Sequence, residues 1–143
     1  ECGITGLKAG IGSPFFGSIE SRISSMMFSV PAVKGIEFGA GYGFTDMQGS
    51  TANDEFYVEN GEIKTRTNNN GGINGGISNG MPVIFNVAVK PTPSIGKTQK
   101  TVNTDTMENC ELKINGRHDP CIVHRAVCVV EAGTAIAALD MML

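Results

Sequence analysis

The chain has 143 residues, 41% of them hydrophobic, which is enough for one domain with a real core and supports the expectation that residues 1–143 form a single domain. With 11 basic residues against 14 acidic ones the net charge is −3, and no run of like charges marks a nucleic-acid surface or a polybasic membrane surface. The apolar stretches break well short of a membrane span and the first residues lack a secretory leader, so the chain reads as soluble and cytoplasmic.

The chain starts at Glu1-Cys2 without a methionine and enters almost at once a strand expected over Cys2 to Leu7. So abrupt a start reads as the edge of a segment cut from a longer polypeptide. Ser18 to Val30 carries Ile19, Ile23, Met26, Met27 and Val30 on one helical face, with Ser18 placed to cap the N-terminus. Pro31 ends this helix, because a residue before proline is pushed out of the helical region. Val33 to Phe38 is β-rich, and Gly39-Ala-Gly-Tyr-Gly43 closes it. That glycine run lacks the third glycine and the helix of a dinucleotide-binding loop. Tyr57 to Ile63 contains Asn60-Gly61 between β-prone flanks, a strong hairpin signal.

From Asn68 to Gly80 the sequence is Asn-Asn-Asn-Gly-Gly-Ile-Asn-Gly-Gly-Ile-Ser-Asn-Gly. Glycine and asparagine adopt positive φ most readily, so this turn can fold into a concave array of N–H donors suited to an anion. A mobile loop tip is the plainer reading. Met81 to Lys90 alternates, with Val83, Phe85, Val87 and Val89 on one apolar face of a strand. Lys90-Pro-Thr-Pro-Ser-Ile95 follows, either an exposed strand-to-loop transition or a ligand contact. Thr98 to Asn109 is polar and without period, as in an ordered connection or a loop. Asn115-Gly116 marks a turn after Glu111 to Ile114.

Pro120 suits the first turn of a last helix from about Cys121 to Met142, apolar on nearly all sides and therefore expected to be sandwiched. Asp119, directly before it, is placed to cap that helix. The cysteines at 2, 110, 121 and 128 form no zinc spacing and read as reduced thiols, Cys121 and Cys128 as core positions of the helix. His118 and His124 have no third partner for a metal, and none is expected. Together these elements predict an α+β fold, an antiparallel sheet packed on apolar helices.

Five polar motifs, taken in order, resemble those of chorismate synthase. They are Ala9-Gly-Ile-Gly-Ser-Pro14, Ser29-Val-Pro-Ala-Val-Lys-Gly-Ile-Glu-Phe-Gly39, the Asn69 to Gly80 run, Lys90-Pro-Thr-Pro-Ser-Ile95 and Gly116-Arg-His-Asp-Pro-Cys121. The resemblance covers the whole chain but only the C-terminal part of a family member. It implies part of a β-α-β sandwich, a homotetramer when complete, and conversion of 5-enolpyruvylshikimate 3-phosphate to chorismate by anti-1,4 elimination of phosphate, with reduced FMN and no net redox change. The family's flavin contacts fall on Pro31, Ala32, Gly75, Lys90, Pro91, Thr92, Pro93, Ser94 and Arg117, with Arg117 also available to the substrate phosphate. Asp119 is implied as the one catalytic side chain present, handling the flavin N5 proton. The two catalytic histidines of the family lie outside these residues, so the chain alone is expected to be inactive. The alternative is a non-catalytic FMN- or anion-binding or assembly module.

Overall fold

A computed structural model describes all residues, 1–143. Its central element is β7, Val83–Val89, flanked on one side by β1, Cys2–Ile4, and on the other by β2, Val33–Phe38, all antiparallel. The register sets Cys2 opposite Phe85 and Val33 opposite Val89. The alternation read along Val83 to Val89 is therefore a central strand, with Val83 and Phe85 fully buried.

Helix α1, Ile19–Ser29, packs Ile19, Ile23 and Met27 into the core formed with Leu7, Val33, Ile73, Val83, Phe85 and Ala137. Its start follows from Ser18, whose side-chain oxygen accepts from the Ser21 amide at 3.1 Å. Strand β1 stops short of the expected Leu7, because Gly6 at φ 77° turns the chain away after Ile4. After β2 the glycine run forms a short 3₁₀ turn, Gly41–Asp46, followed by one turn of helix, α2, Gly49–Ala52. The Asn60-Gly61 hairpin joins β3, Phe56–Glu59, to β4, Glu62–Thr65, with positive φ at both turn residues as a two-residue loop of this type requires.

The Gly/Asn run is itself a small hairpin, β5, Ile73–Asn74, with β6, Ile77–Ser78. The stretch expected to lack regular structure from Thr98 to Asn109 pairs instead as β8, Gln99–Asn103, with β9, Glu108–Leu112. Its turn is held by the Asn103 side-chain oxygen, which accepts from the Asp105 amide at 2.9 Å. Asn115-Gly116 consequently closes no hairpin and lies in irregular chain beyond β9.

Helix α3, Val123–Met142, begins two residues later than expected, and its burial is one-sided. The small residues Gly133, Thr134, Ala137 and Ala138 are its buried stripe. Close approach there is needed, since a Cβ on Gly133 would stand 3.1 Å from both Met26 Cγ and Met27 Cε of α1. Val123, Val127, Val129, Ile136, Leu139 and Met142 are exposed. The expected cover on both sides is thus supplied on one side only, because the sheet and α1 occupy a single face of α3. Cys121 precedes the helix and Cys128 lies on its uncovered side, so both are exposed rather than core.

Candidate functional site

The pairing of β2 with β7 places two of the sequence motifs side by side. With Val33 opposite Val89, the turn before β2 and the segment after β7 leave the sheet at the same end. The Lys90 N–H donates to the Ala32 carbonyl oxygen at 2.7 Å, fixing Pro31-Ala32 beside Lys90–Ser94. Ala32 holds φ at 71°, a left-handed conformation that costs an L-residue about 1–2 kcal/mol. Strain of this kind persists only where its surroundings impose it.

Pro91 and Pro93 carry no N–H, so the donors of this segment are the Thr92 and Ser94 amides together with the side chains. The Thr92 hydroxyl is buried without a hydrogen-bond partner, and a group orphaned in that way costs about 1–3 kcal/mol. Lys90 and Ser94 are exposed, and Lys90 takes part in none of the ion pairs. An unpaired cation, an orphaned hydroxyl and a second hydroxyl in succession make a donor set suited to phosphate oxygens.

Arg117 and Asp119 lie in the irregular segment that precedes α3. Val89 and Val123 line one apolar cleft of about 230 Å³, together with Cys2, Val87, Val127 and Val130. The end of β7 therefore faces the start of α3, a few residues beyond Arg117 and Asp119. Arg117 is exposed and in no ion pair, whereas Asp119 pairs with Arg125 at 2.8 Å. The partner of Asp119 is thus Arg125, one turn into the helix, and not its sequence neighbour Arg117. Nor does Asp119 cap α3, whose first turn has no side-chain cap. His118 Nε2 lies 3.2 Å from the Ile114 carbonyl oxygen, and no cluster of three or more His, Cys, Asp or Glu side chains is formed.

Gly75 stands apart from this group. The Ile19 amide, at the start of α1, donates to the Gly76 carbonyl oxygen at 3.1 Å, so the glycine turn lies at the opposite end of that helix from Ala32. The 11 residues of α1 separate the two by about 16 Å. Gly75 is exposed, with φ at 61° and nothing of the chain within 4 Å of where a Cβ would stand. Such a backbone admits the close approach of a planar ring.

The structure also fills the N–H array of the glycine turn from within. Asp54 is 3% exposed, and its Oδ1 accepts from the Asn69 amide at 2.7 Å and from the Thr67 hydroxyl at 2.7 Å. Its Oδ2 accepts from the Asn70 amide at 2.8 Å. Burial pushes this carboxyl up, but the Thr67 hydroxyl and the Asn70 and Asn69 amides together outweigh it and hold the group below its ordinary value. Two amides of the run read as an anion nest, those of Asn69 and Asn70, hold an anion, and that anion is a residue of the chain. The signal for Asp54 is the Asn60-Gly61 turn, whose register sets Phe56 opposite Thr65 and, carried two residues further, Asp54 beside Thr67.

Comparison with known proteins decides the family. The family model for chorismate synthase matches residues 1–143. The chain belongs to the chorismate synthase family. A chorismate synthase from Dehalococcoides mccartyi is 53% identical over 143 residues, covering 100% of this chain and 39% of that protein. One from Methanococcus vannielii is 50% identical, covering 100% of this chain and 38% of its own length. A crystal structure of chorismate synthase aligns with a TM-score of 0.76 at 30% identity, over 99% of this chain and 35% of that one. The fold is accordingly the α+β fold of chorismate synthase, and the chain spans under two fifths of the length of these relatives. No helix is long and apolar enough to cross a membrane.

Proposed function

We propose that this chain is the C-terminal segment of a cytoplasmic, tetrameric chorismate synthase and supplies cofactor and phosphate contacts to a site completed by the rest of the protein. The whole enzyme is then a lyase acting on 5-enolpyruvylshikimate 3-phosphate, releasing phosphate and chorismate. The observation that carries the reading is the Lys90 N–H to Ala32 hydrogen bond at 2.7 Å. It sets Pro31 and Ala32 beside the start of the Lys90–Ser94 segment, which carries the unpartnered Thr92 hydroxyl.

The residues fit reduced FMN on two counts. The orphaned Thr92 hydroxyl needs an outside partner, and Gly75 leaves room against its backbone. When bound, that group supplies electron density to the elimination without net redox change. Lys90, Thr92 and Ser94 would hold its phosphate, while Arg117 would offer a guanidinium fork to a phosphate of cofactor or substrate. Asp119, oriented by Arg125, would accept or return a proton at the flavin N5 position. Arg117 and Asp119 so divide binding from proton handling.

Gly75 and Lys90 sit at opposite ends of α1, so the remaining walls of the site come from outside these residues. The exposed apolar side of α3 is consistent with that requirement. It also favours the second reading, in which the segment by itself is a binding or assembly module without turnover. Titration of the full-length protein with reduced FMN, in the unaltered form and as Lys90→Ala, tests the first reading. The expected result is saturable binding weakened by about tenfold in the variant, the loss of one charge-assisted bond. Equal affinity in both removes Lys90 from the site.

A further inference from the structure

Asp54 is brought beside Thr67 by the β3–β4 hairpin, beyond which the Arg66 amide donates to the Glu55 carbonyl oxygen at 2.9 Å, and from there it ties that hairpin to the Asn68–Gly80 turn. Its carboxylate is bound by Thr67, Asn69 and Asn70. The Asn69 side chain in turn donates to the Thr51 carbonyl oxygen at 3.2 Å, at the end of α2, and the Asn69 carbonyl oxygen accepts from Ala40 at 2.7 Å. Next to it, Asn68 Oδ1 accepts from the Gly72 amide at 2.7 Å and Asn68 Nδ2 donates to the Pro82 carbonyl oxygen at 2.9 Å. The base of the turn, Asn68 to Gly72, is therefore pinned on every side. At its tip Asn74 Oδ1 accepts from the Asn79 side chain at 2.7 Å and the Gly76 carbonyl oxygen accepts from the Ile19 amide at 3.1 Å, while Gly75 between them is exposed with open space beside it.

We propose that Asp54 is a positioning residue for the flavin site, an internal anion that fixes the base of the Asn68–Gly80 turn so that the Gly75 backbone is presented in one place. The inference rests on the reading of Gly75 as a flavin contact. A contact made through bare backbone has no side chain to adjust, so its placement must come from the loop's own anchoring. Three donors converge on one buried carboxylate, and only an ionised carboxylate accepts from all three. Asparagine in its place would turn an N–H₂ toward one of those donors. Because the amides of Asn69 and Asn70 are already taken, the base of the turn has no anion-binding capacity left for a ligand phosphate.

The test is Asp54→Asn in the full-length protein, read by amide hydrogen exchange of the peptide spanning residues 68–80 and by titration with reduced FMN. The expected result is exchange at least tenfold faster in that peptide and FMN binding at least tenfold weaker, while peptides from α1 and α3 exchange as before. Thr67→Ala, which removes one donor and leaves the carboxylate, is expected to shift both readouts in the same direction by a smaller factor, and it decides the matter if Asp54→Asn does not fold. Unchanged exchange and unchanged FMN affinity in a folded Asp54→Asn, or in Thr67→Ala where only that variant folds, overturn the proposal. Uniformly faster exchange across the protein overturns it too, since that marks general destabilisation. Faster local exchange in a protein that binds no FMN in either form would leave Asp54 as the anchor and remove the flavin reading instead.

Discussion

Lys90 and Ala32, 58 positions apart in the chain, share a backbone hydrogen bond of 2.7 Å at the end of the β2–β7 ladder. It brings a strained alanine, two prolines without N–H groups and an unpartnered threonine hydroxyl into one corner.

The hydroxyl of Thr92 carries the first prediction. Thr92→Val removes an orphaned polar group, so the protein without cofactor is expected to be as stable as the unaltered one or more so by up to about 1 kcal/mol. Reduced FMN should bind less tightly by about 0.5–1.5 kcal/mol, the net worth of one hydrogen bond. Urea denaturation without cofactor and fluorescence titration with it give the two values. Loss of stability with unchanged affinity would make Thr92 a packing residue.

Ala32 sits at φ 71° without the freedom of glycine. Ala32→Gly should relieve about 1 kcal/mol of strain, less the entropy glycine adds to the unfolded chain, for a small net gain in stability. A β-branched residue there should destabilise, as valine tolerates positive φ poorly. Paired denaturation curves of Ala32→Gly and Ala32→Val are the check, and equal stability of both would show that the turn relaxes freely.

Much of this arrangement is legible in the sequence, for identifiable reasons. Helix α1 and strand β7 each bury one face and leave the other less covered, so their periods of 3.6 and 2 appear directly in the residues. The hairpin of β8 with β9 has almost every residue exposed, and with no face to bury it writes no alternation. The apolar composition of α3 signals burial that sheet and α1 supply on one side alone. At the candidate site the donors of the glycine turn are readable from residue type. The carboxylate they hold is readable only from register, because a two-residue turn at Asn60-Gly61 sets Phe56 opposite Thr65 and, carried two residues further, Asp54 beside Thr67. Asp119 meets Arg125 locally, six residues on, where the first turn of α3 brings the guanidinium back to the carboxylate.

Stability should depend on pH through Asp54. Its folded carboxyl is held below the ordinary value of 3.8, so its stabilising contribution is fully present above that value and is lost as pH falls through the lower folded one. The difference in unfolding free energy between the unaltered protein and Asp54→Asn should therefore be constant from pH 7 to about 5 and shrink below about 4. A difference that grows on acidification would reverse the sign and remove the ionised carboxylate from the account.

Arg117 and Asp119 should separate by kinetics in the full-length enzyme. Arg117→Ala is expected to weaken binding by about 1.5–3 kcal/mol, as for a charge-assisted bond to phosphate. Asp119→Asn should leave affinity nearly intact and lower the single-turnover rate, because it keeps shape and removes the proton acceptor. Should Asp119→Asn cost as much affinity as Arg117→Ala with an unchanged rate, the aspartate has no part in proton handling.

The most direct measurement is chorismate formation from 5-enolpyruvylshikimate 3-phosphate with excess reduced FMN, using this 143-residue chain, the separately expressed N-terminal remainder of the full-length protein, and a mixture of the two. No turnover is expected from either part alone, and turnover is expected to return in the mixture. Turnover by this chain alone at the rate of the full-length enzyme would contradict the proposal.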